Sequence, residues 1–247
     1  MKMEHITFST RQELDFRTNE SYKTLRTNIQ FCGDDIKVIS LTSCMPSEGK
    51  TSVSFNLAVS FAEAGKKVIL IDADLRRSVL AGRYRVGEVQ GGLTHYLIGE
   101  KKLDEVVKDT DISNMDIIFA GATCPNPAEL LNHQRFEDMI NILKEIYDYV
   151  IIDTPPLGSV IDGAIIARIC DGAVLVLEAN MISYRFAHDV KEQLRKSNCK
   201  ILGAILNKVP MDTRGYYGRY YGKHYSKYYG ASEDEKDQRK ALKKSQG

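Results

Sequence analysis

Short apolar runs alternate with helix-like stretches along most of the chain, and this alternation restricts the fold more than any other feature. The runs are "KVISLTS" at 37–43, "KVILIDAD" at 67–74, "MDIIFAG" at 115–121, "YDYVIIDTPP" at 147–156, "GAVLVLEA" at 172–179 and "KILGAILNKV" at 200–209. The helical stretches between them are Lys50–Ala64, His133–Tyr147, Asp162–Cys170 and Ser183–Ser197. Nearly continuous Val/Ile/Leu runs separated by helices indicate buried parallel strands with crossover connections. The sequence therefore predicts a doubly wound α/β fold with a mostly parallel sheet.

The composition excludes several classes of protein. The chain of 247 residues has 34 basic and 33 acidic side chains, so no overall charge attracts nucleic acid or an anionic membrane. Its 5 cysteines are odd in number and lack CxxC spacing, which argues against a disulfide framework or a zinc site. No segment approaches the roughly 18 apolar residues of a membrane span, and a signal peptide is missing. These features favour a cytoplasmic enzyme, and no G-x-G, G-x-S-x-G or H-E-x-x-H indicates an oxidoreductase or a hydrolase of those types.

Two segments lie outside the alternation. Residues 17–32 predict a polar helix before the first predicted strand. Residues 211–247 contain a tyrosine cluster followed by charged sequence with few apolar residues, which is typical of a disordered tail. We therefore divide the chain into an N-terminal extension (1–36), a central domain (37–210) and a flexible tail (211–247).

The stretch "TSCMPSEGKTS" at 42–52 places Gly49, Lys50 and Thr51 at the start of a predicted helix. In a P-loop, backbone N–H groups hold the phosphates of ATP, the lysine reaches the β and γ oxygens, and the hydroxyl ligates Mg²⁺. The standard motif has glycine where this chain has Cys44. The match alone is therefore also compatible with an ordinary helix N-terminus.

Aspartates at strand ends distinguish these interpretations. Asp72 and Asp74 end one apolar run, and Asp153 ends another, at the position of a Walker B aspartate. Strand alternation sends Asp72 and Asp74 to opposite faces unless the chain turns between them. One aspartate after a strand is usually a cap or a turn residue. Three of them beside the Gly-Lys-Thr motif favour a site for ATP and Mg²⁺ at the carboxyl edge of the sheet.

These motifs, together with "CPNPAELL" and "GAILNKV", resemble the bacterial tyrosine kinases of the capsule and exopolysaccharide type, in their free-standing Gram-positive form. The resemblance extends from about residue 19 to residue 229, and its most specific part is the apolar-apolar-apolar-D-x-D-x-R pattern at Ile69–Arg76. It implies a P-loop NTPase of the deviant Walker A class. Related ATPases of septum positioning and plasmid partition have lysine where this chain has Met45, and the kinases usually have glycine where it has Ser47.

The resemblance implies a role for each catalytic residue. Lys50 neutralises the phosphates, and its exchange for methionine is expected to leave the fold intact. Thr51, Asp74 and Asp153 hold Mg²⁺. Asp72 accepts the proton of the incoming tyrosine hydroxyl. Which aspartate is the base and which is a metal ligand stays open at this point.

Other residues are implied in nucleotide binding. Asn207 contacts adenine, and Arg76 supports either the aspartate turn or the phosphates. The complete predicted set is Ser43, Pro46, Ser47, Glu48, Gly49, Lys50, Thr51, Ser52, Arg76 and Asn207.

The sequence "YYGRYYGKHYSKYYG" at 216–230 contains seven of the chain's 13 tyrosines. Adjacent tyrosine pairs and interrupting glycines argue against a packed core. Stacking on single-stranded nucleic acid fits the interleaved basic residues when the segment is considered alone. A P-loop site in the same chain instead favours a kinase substrate, and the resemblance implies phosphorylation between subunits. The predicted phosphoacceptors are Tyr216, Tyr217, Tyr220, Tyr221, Tyr225, Tyr228 and Tyr229.

A charged helical face predicts how subunits associate. Glu20, Lys23 and Arg26 have three-residue spacing and so share one face, which is otherwise an ordinary solvated surface. The family has E-x-x-R-x-x-R here and uses it to join subunits into a ring, for which eight subunits is one candidate size. Because Lys23 lacks the bidentate fork of arginine, we expect a weaker contact.

The leading hypothesis is an ATP-dependent protein-tyrosine kinase that phosphorylates its own tail and regulates capsule or exopolysaccharide synthesis and export. The resemblance implies other protein substrates and a membrane-embedded activator of the polysaccharide co-polymerase type, which recruits the kinase to the inner face of the membrane. No nucleic-acid partner is expected. The alternative is a non-kinase deviant-P-loop ATPase that acts as a nucleotide-switched positioning or scaffold protein. A nucleic-acid-binding module that uses the tail is a third hypothesis.

Overall fold

The structure is a computed structural model that describes residues 4–10 and 13–210. Within these residues, eight strands form one sheet in the order β1-β4-β5-β3-β6-β2-β7-β8. The strands are β1 (His5–Ile6), β2 (Val38–Ser43), β3 (Val68–Asp72), β4 (Lys108–Thr110), β5 (Met115–Ile118), β6 (Tyr149–Asp153), β7 (Gly172–Glu178) and β8 (Ile201–Asn207). The helices are α1 (Phe16–Gln30), α2 (Lys50–Glu63), α3 (Leu80–Tyr84), α4 (Leu93–Leu97), α5 (Leu103–Val106), α6 (Pro127–Leu131), α7 (Gln134–Ile146), α8 (Asp162–Ala167) and α9 (Tyr184–Arg195).

The sheet confirms the predicted doubly wound α/β class. All six predicted strands are present, and neighbours among them pair in parallel from β5 to β8. The sheet also includes β1 and β4, which the sequence did not predict. The β4 strand is antiparallel to β5, so the sheet is mixed at this edge.

Helices cover both faces of the sheet, and the central strands are therefore buried on both sides. In β3, Val68 and Leu70 pack in the cluster that includes α2, whereas Ile69 and Ile71 pack in the cluster that includes α7. A third cluster joins α8 and α9 to β7. The alternation along each strand therefore determines which strand-end side chains face α2.

The N-terminal helix confirms the prediction for residues 17–32 and begins one residue earlier. Asp15 caps α1, since its carboxylate accepts the N–H groups of Arg17 and Thr18 at 3.0 and 3.1 Å. The helix is mostly polar, and Ile29 is its buried residue. The packing of α1 against the core is therefore concentrated in the C-terminal half of the helix.

Residues 4–10 and 13–36 belong to the same compact unit as the sheet. They contribute β1 to the sheet and α1 to the helix layer over α2. Within residues 4–10 and 13–210, no helix has both the length and the apolar character needed to cross a membrane. The predicted tail, 211–247, lies outside the described residues.

Candidate active site

The loop between β2 and α2 has the shape of a phosphate-binding loop. Gly49 precedes α2 with φ of 88°, a left-handed conformation that favours glycine. A Cβ atom at this position would lie 2.2 Å from Asn207 Nδ2, so any larger residue would collide with the end of β8. The first N–H groups of α2 have no partner within the helix and make its N-terminus a site for anions.

Glu48 braces this loop from within the protein. Its side chain is buried and its carboxylate accepts two backbone N–H groups, from Met45 at 2.6 Å and from Glu178 at 3.1 Å. The side chain therefore fixes the loop against β7, and a contact with nucleotide is left to the Glu48 backbone. Ser43 lies at the other end of the loop, where its hydroxyl donates to the Met45 carbonyl at 2.9 Å.

Two buried aspartates end adjacent strands at the same level. Asp72 ends β3 and Asp153 ends β6, and the two residues are direct partners in the parallel register. Each is about 1% exposed. Because Asp72 has the parity of Leu70 and Asp153 that of Ile151, both carboxylates lie on the α2 face of the sheet.

Lys50 brings a positive charge to this pair. Its Nζ atom donates to Asp153 Oδ1 at 2.7 Å and lies 3.5 Å from Thr51 Oγ1. The Ser54 hydroxyl, one turn further along α2, donates to the same carboxylate oxygen at 2.9 Å. The structure thus brings Lys50, Thr51 and Asp153 together as the sequence predicted, and adds Ser54.

Burial makes Asp72 a base that titrates near neutrality. Loss of solvation, reinforced by the charge of Asp153, raises the pKa of Asp72 to about 7. The Ser78 hydroxyl and the Asp74 N–H donate to its two oxygens and act in the opposite direction. A carboxyl group with this pKa can accept a proton at physiological pH and release it afterwards.

The chain turns directly after β3, which resolves the geometric question about Asp72 and Asp74. The Asp74 N–H donates to Asp72 Oδ1 at 3.2 Å. Asp74 in turn accepts the N–H groups of Arg76 and Arg77 at 3.3 and 3.0 Å. Asp74 therefore lies in a partly exposed turn at the edge of the site rather than on the opposite face of a continuing strand.

Arg76 supports this turn through an ion pair with Asp162, a residue that the sequence did not indicate. Its Nε and Nη2 atoms donate to the two carboxylate oxygens of Asp162 at 2.7 and 3.0 Å. Asp162 is fully buried at the start of α8. A buried carboxylate requires a partner of this kind, but the sequence gives no indication of which arginine supplies it.

Arg83 was also missed. Its Nη1 atom donates to Ser52 Oγ at 2.6 Å and so reaches the first turn of α2 from α3.

Pro46 and Ser47 lie in the exposed part of the phosphate loop. Ser47 has φ of 68°, which explains why glycine is usual at this position in the family it resembles.

The residues fit a magnesium-bound nucleoside triphosphate. Two buried carboxylates lie side by side with one ammonium group, which pairs with Asp153, and the raised pKa of Asp72 reflects its burial and then the negative charge of Asp153. A divalent cation would offset that charge. Within residues 4–10 and 13–210, no three His, Cys, Asp or Glu side chains form a ligand cluster. Proteins usually hold Mg²⁺ through one or two carboxylates plus substrate phosphates, and Asp153 at the end of β6 offers such a carboxylate.

Two of the residues predicted for subunit contact pair with each other on the surface of α1, and the third binds α2. Lys23 and Glu20 form an exposed pair on α1, with Nζ 2.7 Å from Oε1. Arg26 instead donates to the Ser60 carbonyl at 2.6 Å and thereby fastens α1 to α2.

The seven predicted phosphoacceptor tyrosines lie outside the described residues.

A glycine-containing loop at a helix N-terminus, with its lysine and two strand-end aspartates, defines a P-loop nucleoside triphosphatase. A family described as "AAA domain" matches residues 36–201. The chain is 44% identical to tyrosine-protein kinase CpsD of Streptococcus agalactiae over 204 residues, which are 82% of this chain and 89% of CpsD. It therefore belongs to the family of bacterial tyrosine-protein kinases.

Solved structures agree with this assignment. The kinase domain of the Escherichia coli tyrosine kinase ETK matches with a TM-score of 0.75 and 29% identity, covering 83% of this chain and 89% of ETK. The chimerical protein CapA2B2 matches with a TM-score of 0.77 and 27% identity, covering 84% and 94% of the two chains. The comparisons confirm an enzyme of the tyrosine-kinase class.

Proposed function

We propose that this kinase transfers the γ-phosphoryl group of ATP to tail tyrosines of a neighbouring subunit, and thereby regulates capsule or exopolysaccharide synthesis and export. The observation that supports the proposal most directly is the buried carboxylate of Asp72, in register with Asp153 beside Lys50. A carboxyl group with a pKa of about 7 at the phosphate site suits removal of a proton from a phenol.

The proposed reaction follows from these positions. A tyrosine oxygen attacks the γ-phosphorus, the bond from that phosphorus to the β–γ bridging oxygen breaks, and ADP leaves with the electron pair. Asp72 takes the phenolic proton. Lys50 neutralises charge on the phosphates, and Thr51, Asp74 and Asp153 are the residues that would hold Mg²⁺, which would supply further positive charge at the phosphates. The N-terminus of α2 fixes the phosphate position throughout.

Exchange of Asp72 for asparagine tests the base. The variant keeps the size of the side chain and loses its ability to take a proton, so we expect autophosphorylation to fall by about 10² to 10⁴. Binding of Mg-ADP, measured by calorimetry, should persist. A variant that loses nucleotide affinity instead would identify Asp72 as a metal ligand.

Transfer between subunits has its own test. A Lys50→Met chain with an intact tail is mixed with an active chain whose seven tail tyrosines are all phenylalanine, and the label on each chain is measured. We expect phosphate on the inactive chain, at a rate that increases with concentration. No phosphate on the inactive chain, together with a concentration-independent rate of autophosphorylation of the wild-type chain measured separately, would refute transfer between subunits.

We further propose that the kinase assembles as a ring through Glu20, Lys23 and Arg26. A membrane-embedded activator of the polysaccharide co-polymerase type brings it to the inner face of the membrane, and other proteins serve as additional substrates. Seven phosphates would add about −10 to −14 charges to the tail at pH 7. Repulsion between such tails, and between each tail and the site carboxylates, would weaken the ring as phosphorylation proceeds.

A further inference from the structure

The last residue of β8, Asn207, and the residue that follows it, Lys208, contact the phosphate loop from outside. Lys208 Nζ donates to the Ser47 carbonyl at 2.7 Å and to Glu178 Oε2 at 2.8 Å. Asn207 Nδ2 donates to the next carbonyl of the loop, that of Glu48, at 2.9 Å. Two consecutive loop carbonyls are thus bound by two consecutive residues at the end of β8 and directly after it.

These contacts determine the direction of the loop N–H groups. In a planar trans peptide, the carbonyl and the following N–H point in opposite directions. When the Ser47 carbonyl points toward Lys208, the Glu48 N–H points away from it. The same holds for the Glu48 carbonyl and the Gly49 N–H, opposite Asn207. Both N–H groups are thereby turned to the side of the loop where an anion can bind.

The loop conformation requires such support. Ser47 has φ of 68° and Lys208 has φ of 53°, and both are left-handed conformations that cost energy for residues with a Cβ atom. The hydrogen bond between them joins the two strained residues directly. Glu178 holds the lysine from β7, and its own N–H is bound by Glu48. The network therefore closes on itself around the loop.

We infer that Lys208 is a positioning residue for the phosphates, which holds the Ser47 carbonyl so that the Glu48 N–H faces the nucleotide. The inference rests on the proposal that the loop at 44–49 binds the phosphates of ATP. The Lys208 ammonium group donates to Ser47 and to Glu178 rather than to a catalytic aspartate. Lys208 therefore acts on the phosphates through the loop. Its effect should therefore appear in phosphate affinity and not in the chemical step.

The test compares two probes on the Lys208→Met variant of the full chain. Affinity for Mg-ADP and for base-free Mg-tripolyphosphate should both decrease, by about three- to ten-fold and by similar factors, since a partly exposed charged hydrogen bond is lost. The KM for ATP in autophosphorylation should increase by a similar factor, while kcat changes by less than about twofold. Lys208→Arg should restore most of the affinity.

Two further variants serve as comparisons. Lys191 on α9 is 48% exposed and pairs with Glu192, and Lys208 is 46% exposed and pairs with Glu178. Lys191→Met should leave both affinities unchanged. Glu178→Gln keeps the Ser47 bond and should reduce affinity less than Lys208→Met.

Several outcomes would overturn the inference. Weaker ADP binding with unchanged tripolyphosphate binding would mean that Lys208 contacts the nucleoside. Unchanged affinity for both probes would mean that the loop needs no such support. A loss of kcat with an unchanged KM would place Lys208 in the chemical step. Because neither affinity measurement depends on phosphoryl transfer, failure here is distinguishable from failure of phosphorylation between subunits.

Discussion

At the scale of single residues, the two buried carboxylates of the site differ in their pairing with Lys50. Asp72 and Asp153 are both about 1% exposed, and Lys50 contacts only the second of them at hydrogen-bond distance. The two carboxylates therefore differ in role although they occupy equivalent positions on neighbouring strands. The one without the ammonium partner titrates near neutrality and can act as a base.

The raised pKa of Asp72 predicts the pH dependence of catalysis. The free enzyme needs Asp72 ionised, so kcat/KM should increase about tenfold per pH unit below pH 7 and become level above it. The midpoint should lie near the pKa of about 7. Initial rates of autophosphorylation at low ATP measure this profile. The Asp72→Asn variant should show no such increase, and a midpoint near pH 4 in the wild type would contradict the prediction.

The same group affects stability with a definite sign. The folded pKa of Asp72, about 7, lies above the ordinary value of 3.8, so the folded protein holds the proton more tightly than the unfolded chain does. This contribution to stability is complete below about pH 4 and is lost as the pH increases to about 7. Relative to wild type, Asp72→Asn should therefore gain at least about 1.4 kcal/mol of unfolding free energy between about pH 5 and about pH 8. Urea titrations of both proteins measure it, and parallel pH dependences would disprove it.

Lys50 has a structural role that the sequence did not indicate. Sequence analysis expected Lys50→Met to leave the fold intact, but the Lys50 side chain is 7% exposed and pairs with an Asp153 side chain that is 1% exposed. We expect Lys50→Met to abolish transfer and also to lower the free energy of unfolding by about 3 kcal/mol, because a buried carboxylate loses its partner. Adding Asp153→Asn should recover most of the stability and none of the activity. Full stability of the single variant would contradict the buried pair.

At the scale of elements, the predictable strands were those with an apolar run. The sequence indicated β3 and β6 because every residue before the final aspartate of each strand is hydrophobic. It did not indicate β4, whose three residues are Lys, Asp and Thr, or β1, which has two residues. Such strands exist because a neighbouring strand offers hydrogen bonds, and this is a tertiary effect that local pattern does not report.

The same distinction applies to the site. Lys50, Asp72 and Asp153 were predictable because each belongs to a short motif. The partnership of Arg76 with Asp162 joins residues 86 positions apart, and that of Lys208 with Ser47 joins residues 161 apart. No motif contains both members of such a pair. The chemistry of the site was therefore visible in the sequence, whereas its supporting contacts became visible only in the fold.

The phosphate loop offers a prediction at this scale. Ser47 has φ of 68°, so Ser47→Gly should remove backbone strain and stabilise the protein by about 0.5 to 1 kcal/mol, with nucleotide affinity kept. Ser47→Ala keeps a Cβ atom and should bring no such gain. Thermal unfolding and Mg-ADP titration of both variants provide the measurement. Equal stability of the glycine and alanine variants would contradict the explanation from strain.

At the scale of the whole molecule, the charged residues of α1 are divided between the fold and the surface. Arg26 fastens the helix to α2, whereas the side chains of Lys23 and Glu20 pair with each other and are 46% and 27% exposed. A partner subunit can therefore reach the Glu20–Lys23 pair without disturbing the fold. Arg26 is less available for the same purpose.

Charge reversal on α1 tests this division. Lys23→Glu should reduce the assembled mass, and Lys23→Arg should increase the fraction of large assemblies because arginine binds carboxylates in a bidentate manner. Neither change should alter the unfolding free energy by more than about 1 kcal/mol, since the pair is exposed. Light scattering across a concentration series measures the mass, with Lys191→Glu as a control on α9. An unchanged mass in Lys23→Glu would exclude this face as the contact.

The pairing of Asp72 with Asp153 across β3 and β6 also makes enzymatic activity a measure of correct assembly. A slip of one residue between these strands would send one carboxylate to the opposite face of the sheet and separate the two charges. Such a molecule could retain helices and much of its core and would still be unable to transfer phosphate. Titration of active sites in a preparation therefore counts the molecules whose central strands have paired correctly, which bulk spectroscopic probes of secondary structure do not distinguish.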